Sequence, residues 1–408
     1  MILGKNKQFA LLFYGQVTST VGNNLFDISL LWYIISITHS KTDLTILGFF
    51  QTLPGFLGLF AGVLVDRSLK RKTMLISDVV RGVLALGLYL LSGTRHPSFM
   101  LIVFLVFLLK TVGTVFSPAQ SALLPEVVSK DELPSAVGLN KSGSALARLI
   151  GMFGGGVLIS LLGAPLLFIV NAFSFLVSVV TLSFMNVKES NSQTIKRSSM
   201  SREWVAGLRT IVTSTAILRN MLIAVISNFA LAPFNIVLTA WVNGPLHSTA
   251  FVFGALMACM LVGVLFGGLS LGFSFKHLTY KQLLVYGSII QGGFIILLGC
   301  TKSITLDMFF MLLQGLALGI LNGTLPAINL RIIPKDMRGR IFGTLGAADT
   351  ITQPLGMVIF GFLMTRIHLS LLFLIIGVIV IISGMVFILP SKQKSLNIHA
   401  AEVTPAEG

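Results

Sequence analysis

The chain has 408 residues, 54% of them hydrophobic and 11% charged, with a mean hydropathy of +0.92. A soluble chain carries roughly 25% charged residues, so this composition excludes two or three soluble domains and points to an all-α, polytopic membrane protein. The 29 Lys and Arg exceed the 14 Asp and Glu, giving a net charge of +15; whether that excess marks nucleic acid or membrane topology depends on where it falls along the chain.

In chain order, twelve apolar runs are long enough to span a bilayer, at about 20 residues each. They cover 10–36, 44–65, 73–92, 98–116, 136–162 and 166–185, then 220–242, 251–272, 282–300, 306–330, 341–365 and 369–389. The first run carries Asn23, Asn24 and Asp27 and leads straight into the second, unlike a cleaved signal peptide. The expected organisation is an N-terminal six-helix bundle at 1–185, a central loop at 186–219, a C-terminal six-helix bundle at 220–389 and a tail at 390–408. Within the loop, Trp204, Leu208 and Ile211 fall at helical spacing and predict a surface helix over Ser201–Val212. A shift of 208 residues lays Asn235 on Asp27 and Pro326 on Pro118, a weak internal repeat of the kind found in secondary transporters.

With the N-terminus placed inside, 21 of the 29 Lys and Arg fall in inner loops and tails. Only Lys41, Arg95, Lys302 and Arg366 fall outside, while Arg81, Lys110, Lys141 and Arg148 lie within spans. This positive-inside bias accounts for the net charge without nucleic acid and puts both termini in the cytoplasm. Cys259 and Cys300 sit singly in apolar runs, and the six histidines are scattered, so neither a disulfide framework nor a metal site is expected. No phosphate-binding G-x-x-x-x-G-K-[ST] segment and no catalytic cluster occurs, so neither an ATPase nor a membrane enzyme is expected, and no cofactor.

An ionised side chain at mid-bilayer costs about 2.5–3.5 kcal/mol on insertion scales and so usually faces water or a partner. Asp27 and Asp349 are the two deep acids. Gln16, Thr20, Asn23 and Asp27 recur at four, three and four residues, one face of a helix. Asp27 is therefore either a proton or cation site, the preferred reading, or an acid fixed by Asn24 or a neighbouring helix. Asn228 with Asn235, and Gln314 with Asn322, are candidates for a substrate cavity, or for packing between helices. Lys110 is expected to snorkel to the inner interface, with a cavity position as the alternative. The spacings Gly151-x3-Gly155, Gly263-x3-Gly267 and Gly315-x3-Gly319 predict close helix packing.

Between the second and third runs stands Gly62-Val-Leu-Val-Asp66-Arg67-Ser-Leu-Lys70-Arg71-Lys72. This resembles the loop signature G-x-L-A-D-R-x-G-R-R-K of the major facilitator superfamily, with Leu69 where the pattern has its second glycine. The stretches Phe9–Gln16 with Gly22-Asn23-Asn24, Ser117-Pro118-Ala119 with Leu124-Pro125, and Asp349 with Pro354-Leu-Gly356 look like the bacterial drug-exporter branch that contains macrolide-efflux proteins. The resemblance implies two six-helix halves that work by alternating access, with spans 1, 5 and 11 near the cavity or the seam, and spans 5 with 8 and 2 with 11 packed together. It implies a cytoplasmic latch at Asp66 and Arg67, with Gly62, Arg71, Asp78 and Arg81 around it. Asp349 is expected as an inter-half partner of that latch, with proton coupling as its alternative, and Arg148 as a partner of the equivalent second-half loop. The implied protein is a monomer of the bacterial cytoplasmic membrane that exports amphiphilic, macrolide-like molecules against protons. The alternatives are export of a metallophore such as a siderophore, and a membrane protein that binds without transporting. In the run Gly151-Met-Phe-Gly154-Gly155-Gly156 the glycines match the antiporter pattern G-P-x-x-G-G and the proline does not.

Overall fold

The computed structural model describes residues 2–58, 61, 65, 68–129, 131–187, 211–212, 214–333 and 338–386, and among them it is helical without strands. A helix lies at each of the twelve predicted runs. Among the described residues nine helices are long and apolar enough to cross a membrane, and Leu369–Met385 is a shorter apolar one. The first-half helices are α1 (Ile2–Lys5), α2 (Lys7–Thr38), α3 (Lys41–Gly58), α4 (Lys70–Ser92), α5 (Phe99–Gly113), α6 (Phe116–Val127), α7 (Leu133–Leu162) and α8 (Ala164–Ser183). Those of the second half are α9 (Thr215–Leu231), α10 (Phe234–Asn243), α11 (Ala250–His277), α12 (Tyr280–Cys300), α13 (Ile304–Ile332), α14 (Arg338–Arg366) and α15 (Leu369–Met385). The surface helix expected over Ser201–Val212 and the tail at 390–408 lie outside the described residues, apart from helical Ile211 and Val212.

Local chemistry sets these elements. Asn6 caps α2 by accepting from the Phe9 amide at 3.0 Å and donates from Nδ2 to the Val127 carbonyl at 2.8 Å. Thr279 and Gln282 form a reciprocal capping box at the start of α12. The seventh predicted run divides into α9 and α10 at Pro233, which has no amide hydrogen to continue the ladder. α2 is 32 residues long but is not among the nine apolar helices. Its Gln16, Asn23, Asn24 and Asp27 lower its hydropathy.

The halves meet where side chains are smallest. α7 packs on α11 and α3 on α14, the span pairings that the resemblance implies. A Cβ added at Gly156 of α7 would collide with the backbone of Gly254 in α11. Inside the second half, Gly263 and Gly315 press α11 and α13 together so closely that an added Cβ would strike the Leu312 and Met260 carbonyls.

The buried apolar residues are unevenly shared along the bundle. Toward the cation-poor end, which carries Lys41, Arg95, Lys302 and Arg366, one cluster joins both halves: Leu30, Ile34 and Leu47 with Val237, Trp241, Phe253 and Phe360. Trp32 reaches across to Phe253, with ring centroids 6.4 Å apart. Toward the cation-rich end the cores are separate. Phe9, Leu12, Met74 and Leu123 belong to the first half only, whereas Ile217, Ile333 and Ile341, and Ile223 with Leu284, belong to the second. Among the described residues, then, the buried core seals the two halves together at one end and is divided between them at the other.

Candidate functional site

Two cavities lie on the divided side of that seal, one in each half. The first, about 320 Å³, is walled by α2, α3, α4 and α5 through Asn23, Gln51, Gly55, Arg81, Lys110 and Thr114. The second, about 330 Å³, is walled by α9, α12, α13 and α14 through Asn228, Gln291, Asn322, Asn329 and Asp349 among others. The two approach each other at the seam, where the Thr350 methyl of α14 lies against Gly55 of α3.

In the first half, Asp27 of α2 accepts from Lys110 Nζ of α5 at 2.5 Å. The Asp27 side chain is 42% exposed and that of Lys110 23%; Asp27 lies in the body of α2 and Lys110 in the last turn of α5. Lys110 also lies 6.0 Å from the centre of the Phe26 ring. Lys110, expected to snorkel or to take a cavity position, pairs with Asp27 and lines the cavity. Asn24, the residue expected to fix Asp27, instead donates to the Thr20 carbonyl at 2.7 Å.

Beside this pair stands a second. Arg81 of α4 donates from Nη1 to Asp78 Oδ1 at 3.1 Å and from Nη2 to Asn23 Oδ1 at 3.0 Å. Its guanidinium stacks 4.1 Å from the centre of the Phe175 ring. Asp78 is wholly buried. The expected latch therefore divides. Arg81 turns inward to the cavity wall, with Asp78 buried behind it. Arg71 donates to the Leu182 and Ser183 carbonyls, each at 2.7 Å, which satisfies acceptors left over at the C-terminus of α8. Gly62, Asp66 and Arg67 lie outside the described residues. Lys70, from the same loop, pairs with Glu126 at 3.2 Å.

The remaining stripe on α2 serves packing. Gln16 donates to Ser144 Oγ at 3.0 Å and accepts from Gln120, and Thr20 donates to the Gln16 carbonyl of its own helix. Asn23 alone of the three lines the cavity.

In the second half, Asn228, Asn322 and Asp349 share one cavity, and Asn228 is within hydrogen-bonding reach of the Asp349 carboxylate. Asn220 donates to Asn329 Oδ1 at 2.7 Å across the wall. Asp349 thus shares a wall with amides of its own half, while Thr350, about 100° further round the helix, lies against Gly55 of α3; the latch residues Asp66 and Arg67, its expected partners, lie outside the described residues. Gln314 is buried, donates to the Met311 sulfur at 3.8 Å and lies on neither of these cavities. Asn235 is exposed and also lies off both. Arg148 is exposed, with no ion pair among the described residues.

Asp307 was not anticipated from the sequence. It is fully buried, accepting from Thr301 Oγ1 at 2.5 Å and from Trp241 Nε1 at 3.5 Å, and so ties α10 to α13 at the sealed end. Its signal was an acid in the first turn of a helix after Ser303, where the helix dipole favours negative charge. Among the described residues no group of three or more His, Cys, Asp or Glu could hold a metal ion.

Comparison with known proteins agrees with this architecture. A family model described as "Transmembrane secretion effector" matches residues 4–405. Macrolide efflux protein A of Streptococcus pyogenes is 22% identical over 407 residues, which cover 96% of this chain and 98% of that protein. The multidrug efflux pump Tap of Mycolicibacterium fortuitum is 22% identical over 411 residues, 97% of this chain and 98% of that one. In fold, the crystal structure of a mutant of the nucleoside transporter NupG superposes with a TM-score of 0.74 at 9% identity, over 93% of this chain and 99% of that chain.

Proposed function

Because the chain belongs to the transmembrane secretion effector family of major facilitator transporters, we propose that it exports amphiphilic small molecules by alternating access, driven by protons. The family and fold are those of membrane transporters, not enzymes. The observation that carries the reading is the Asp27–Lys110 pair, a partly exposed carboxylate and ammonium on facing helices of the apolar bundle. Protonation of Asp27 cancels its charge and releases Lys110, so α2 and α5 gain a reason to move apart. Loss of the proton restores the pair. A proton gradient of 100 mV is worth about 2.3 kcal/mol per charge, enough for roughly a 50-fold substrate gradient.

In this scheme the halves at 1–185 and 220–389 rock about the seam formed by α7 with α11 and α3 with α14. The sealed end faces outward and the divided end inward, in a bacterial cytoplasmic membrane with both termini cytoplasmic. What supports the orientation is the surplus of Lys and Arg at the divided end. Asn23, Asn228, Asn322 and Asp349 line the path of the substrate, and the transporter acts as a monomer. The cargo class is supported by the efflux relatives: "macrolide" and "multidrug" are in the names of those proteins.

The test uses inverted vesicles with an imposed pH gradient and ethidium or erythromycin as cargo. Proton-driven uptake is expected with the native chain and none with Asp27→Asn. Uptake by Asp27→Asn at the native rate and with the native pH optimum removes Asp27 from the coupling. No gradient-driven uptake of any amphiphile by the native chain removes the exporter reading.

A further inference from the structure

The first-half cavity is unusual in what it offers a ligand. Its charged wall residues are both cations, Arg81 and Lys110, while their carboxylate partners Asp78 and Asp27 are not on its wall. Arg81 is 7% exposed. Two of its three nitrogens are taken, Nη1 by Asp78 and Nη2 by Asn23, while Nε has no hydrogen-bond partner. Gln51 Nε2, on the same wall, is buried and also without a partner. Both open groups are donors. A buried donor left unmade costs about 1–3 kcal/mol, more when it is charged, so the site favours a ligand that brings acceptors.

The local backbone keeps that space open. Gly113, on the same wall, faces the guanidinium, and a Cβ added there would stand 3.3 Å from Arg81 Nε. A side chain at that position would crowd Nε. The second-half cavity is the reverse: among the described residues, Asp349 is the one charged group on its wall, set among carboxamides.

We propose that the cavity between α2, α3, α4 and α5 is an anion subsite, in which Arg81 Nε, Gln51 Nε2 and Lys110 receive a carboxylate or phosphate of the transported molecule. This rests on the exporter reading and narrows it: the preferred cargo carries an anionic group on an apolar body, and its opposite end, where cationic, falls toward Asp349. Binding of the anion competes with Asp27 for Lys110, so cargo and proton act on one ammonium.

The test compares two fluorescent amphiphiles of equal size, N-dansyl-leucine, with a free carboxylate, and its neutral amide N-dansyl-leucinamide, binding to the full chain in phosphatidylcholine nanodiscs. The acid is expected to bind about tenfold more tightly than the amide, the contribution of one hydrogen bond to a charged group. Gln51→Leu and Gly113→Ala, which alter no charge, are expected to erase most of that preference. The paired change Asp78→Asn with Arg81→Gln, which leaves no lone buried charge, is expected to do the same. Equal affinity for acid and amide, saturable binding of neither, or a preference untouched by all three variants overturns the subsite. Displacement of the acid by phosphatidylglycerol added to the nanodiscs assigns the site to a lipid headgroup and overturns the cargo proposal. Parallel ethidium flux in inverted vesicles separates the two readings. Proton-driven flux without acid preference sinks the subsite alone, whereas acid preference without flux of any probe supports the subsite and sinks the exporter.

Discussion

The two cavities occupy related places in the two halves and have opposite chemistry. At the first, the wall cations Lys110 and Arg81 each pair with an acid set off the wall, Asp27 and Asp78, and lie over Phe26 and Phe175. In the second, Asp349 stands among Asn220, Asn228, Gln291, Asn322 and Asn329. The backbone repeat therefore does not carry a repeat of charge. A pair can switch, because moving one proton leaves an ammonium without its partner. A lone acid among neutral amides changes its own charge and little else. In the proposed cycle the first half carries the switch and the anion subsite, and the second a neutral wall around Asp349.

The largest effect is expected from moving the acid across the repeat. Asp27→Asn combined with Asn235→Asp puts a carboxylate on the equivalent helix, where Asn235 is exposed and away from either cavity. Flux in inverted vesicles is expected to stay at the level of empty vesicles; recovery would mean that any intramembrane acid suffices. Next, Arg81→Leu strands the buried Asp78 carboxylate, at a cost of about 3–5 kcal/mol. Thermal unfolding in detergent reads this as a steep loss, mostly rescued by adding Asp78→Asn. A stability unchanged by Arg81→Leu would mean that the pair is dispensable.

Gly156→Leu attacks the seal common to both halves. Overpacking of about 1–3 kcal/mol falls on the Gly254 backbone, and cysteines placed at Trp32 and Phe253 are expected to cross-link less readily. An unchanged yield of cross-link would place the contact elsewhere. Asp349→Asn is the milder counterpart of the first change: the amide keeps its hydrogen bonds, and flux is expected to fall only about threefold, or some 0.7 kcal/mol. A complete loss would transfer the coupling role to the second half. Smallest is Arg71→Ala, which frees two carbonyls at the end of α8 and is expected to lower stability by about 0.5–1 kcal/mol, without altering flux per folded molecule.

Much of the fold was legible because each helix must satisfy its own backbone and present apolar side chains to lipid, both local properties of the chain. The polar stripe that carries Asp27 was legible as well, since its residues recur at helical spacing. The partner of Asp27 was not. Lys110 taken alone is equally suited to reach the interface or a carboxylate, and only the approach of α5 to α2 distinguishes them. The carboxamides around Asp349 were not legible as a group, because the face a helix turns to its neighbours depends on its rotation. Gln16 and Thr20 shared the face of Asp27 in sequence, yet α6 and α7 claimed Gln16 and the helix's own backbone claimed Thr20.

By itself, then, the sequence determined how many apolar runs there are, which loops carry positive charge and which helices carry polar atoms, since hydropathy and charge act residue by residue. Tertiary structure alone decided which of those polar atoms meet, which end is sealed and which donors are left open to a ligand. Pairing energies depend on separations of a few ångströms between helices far apart in the chain, and no local pattern sets those distances.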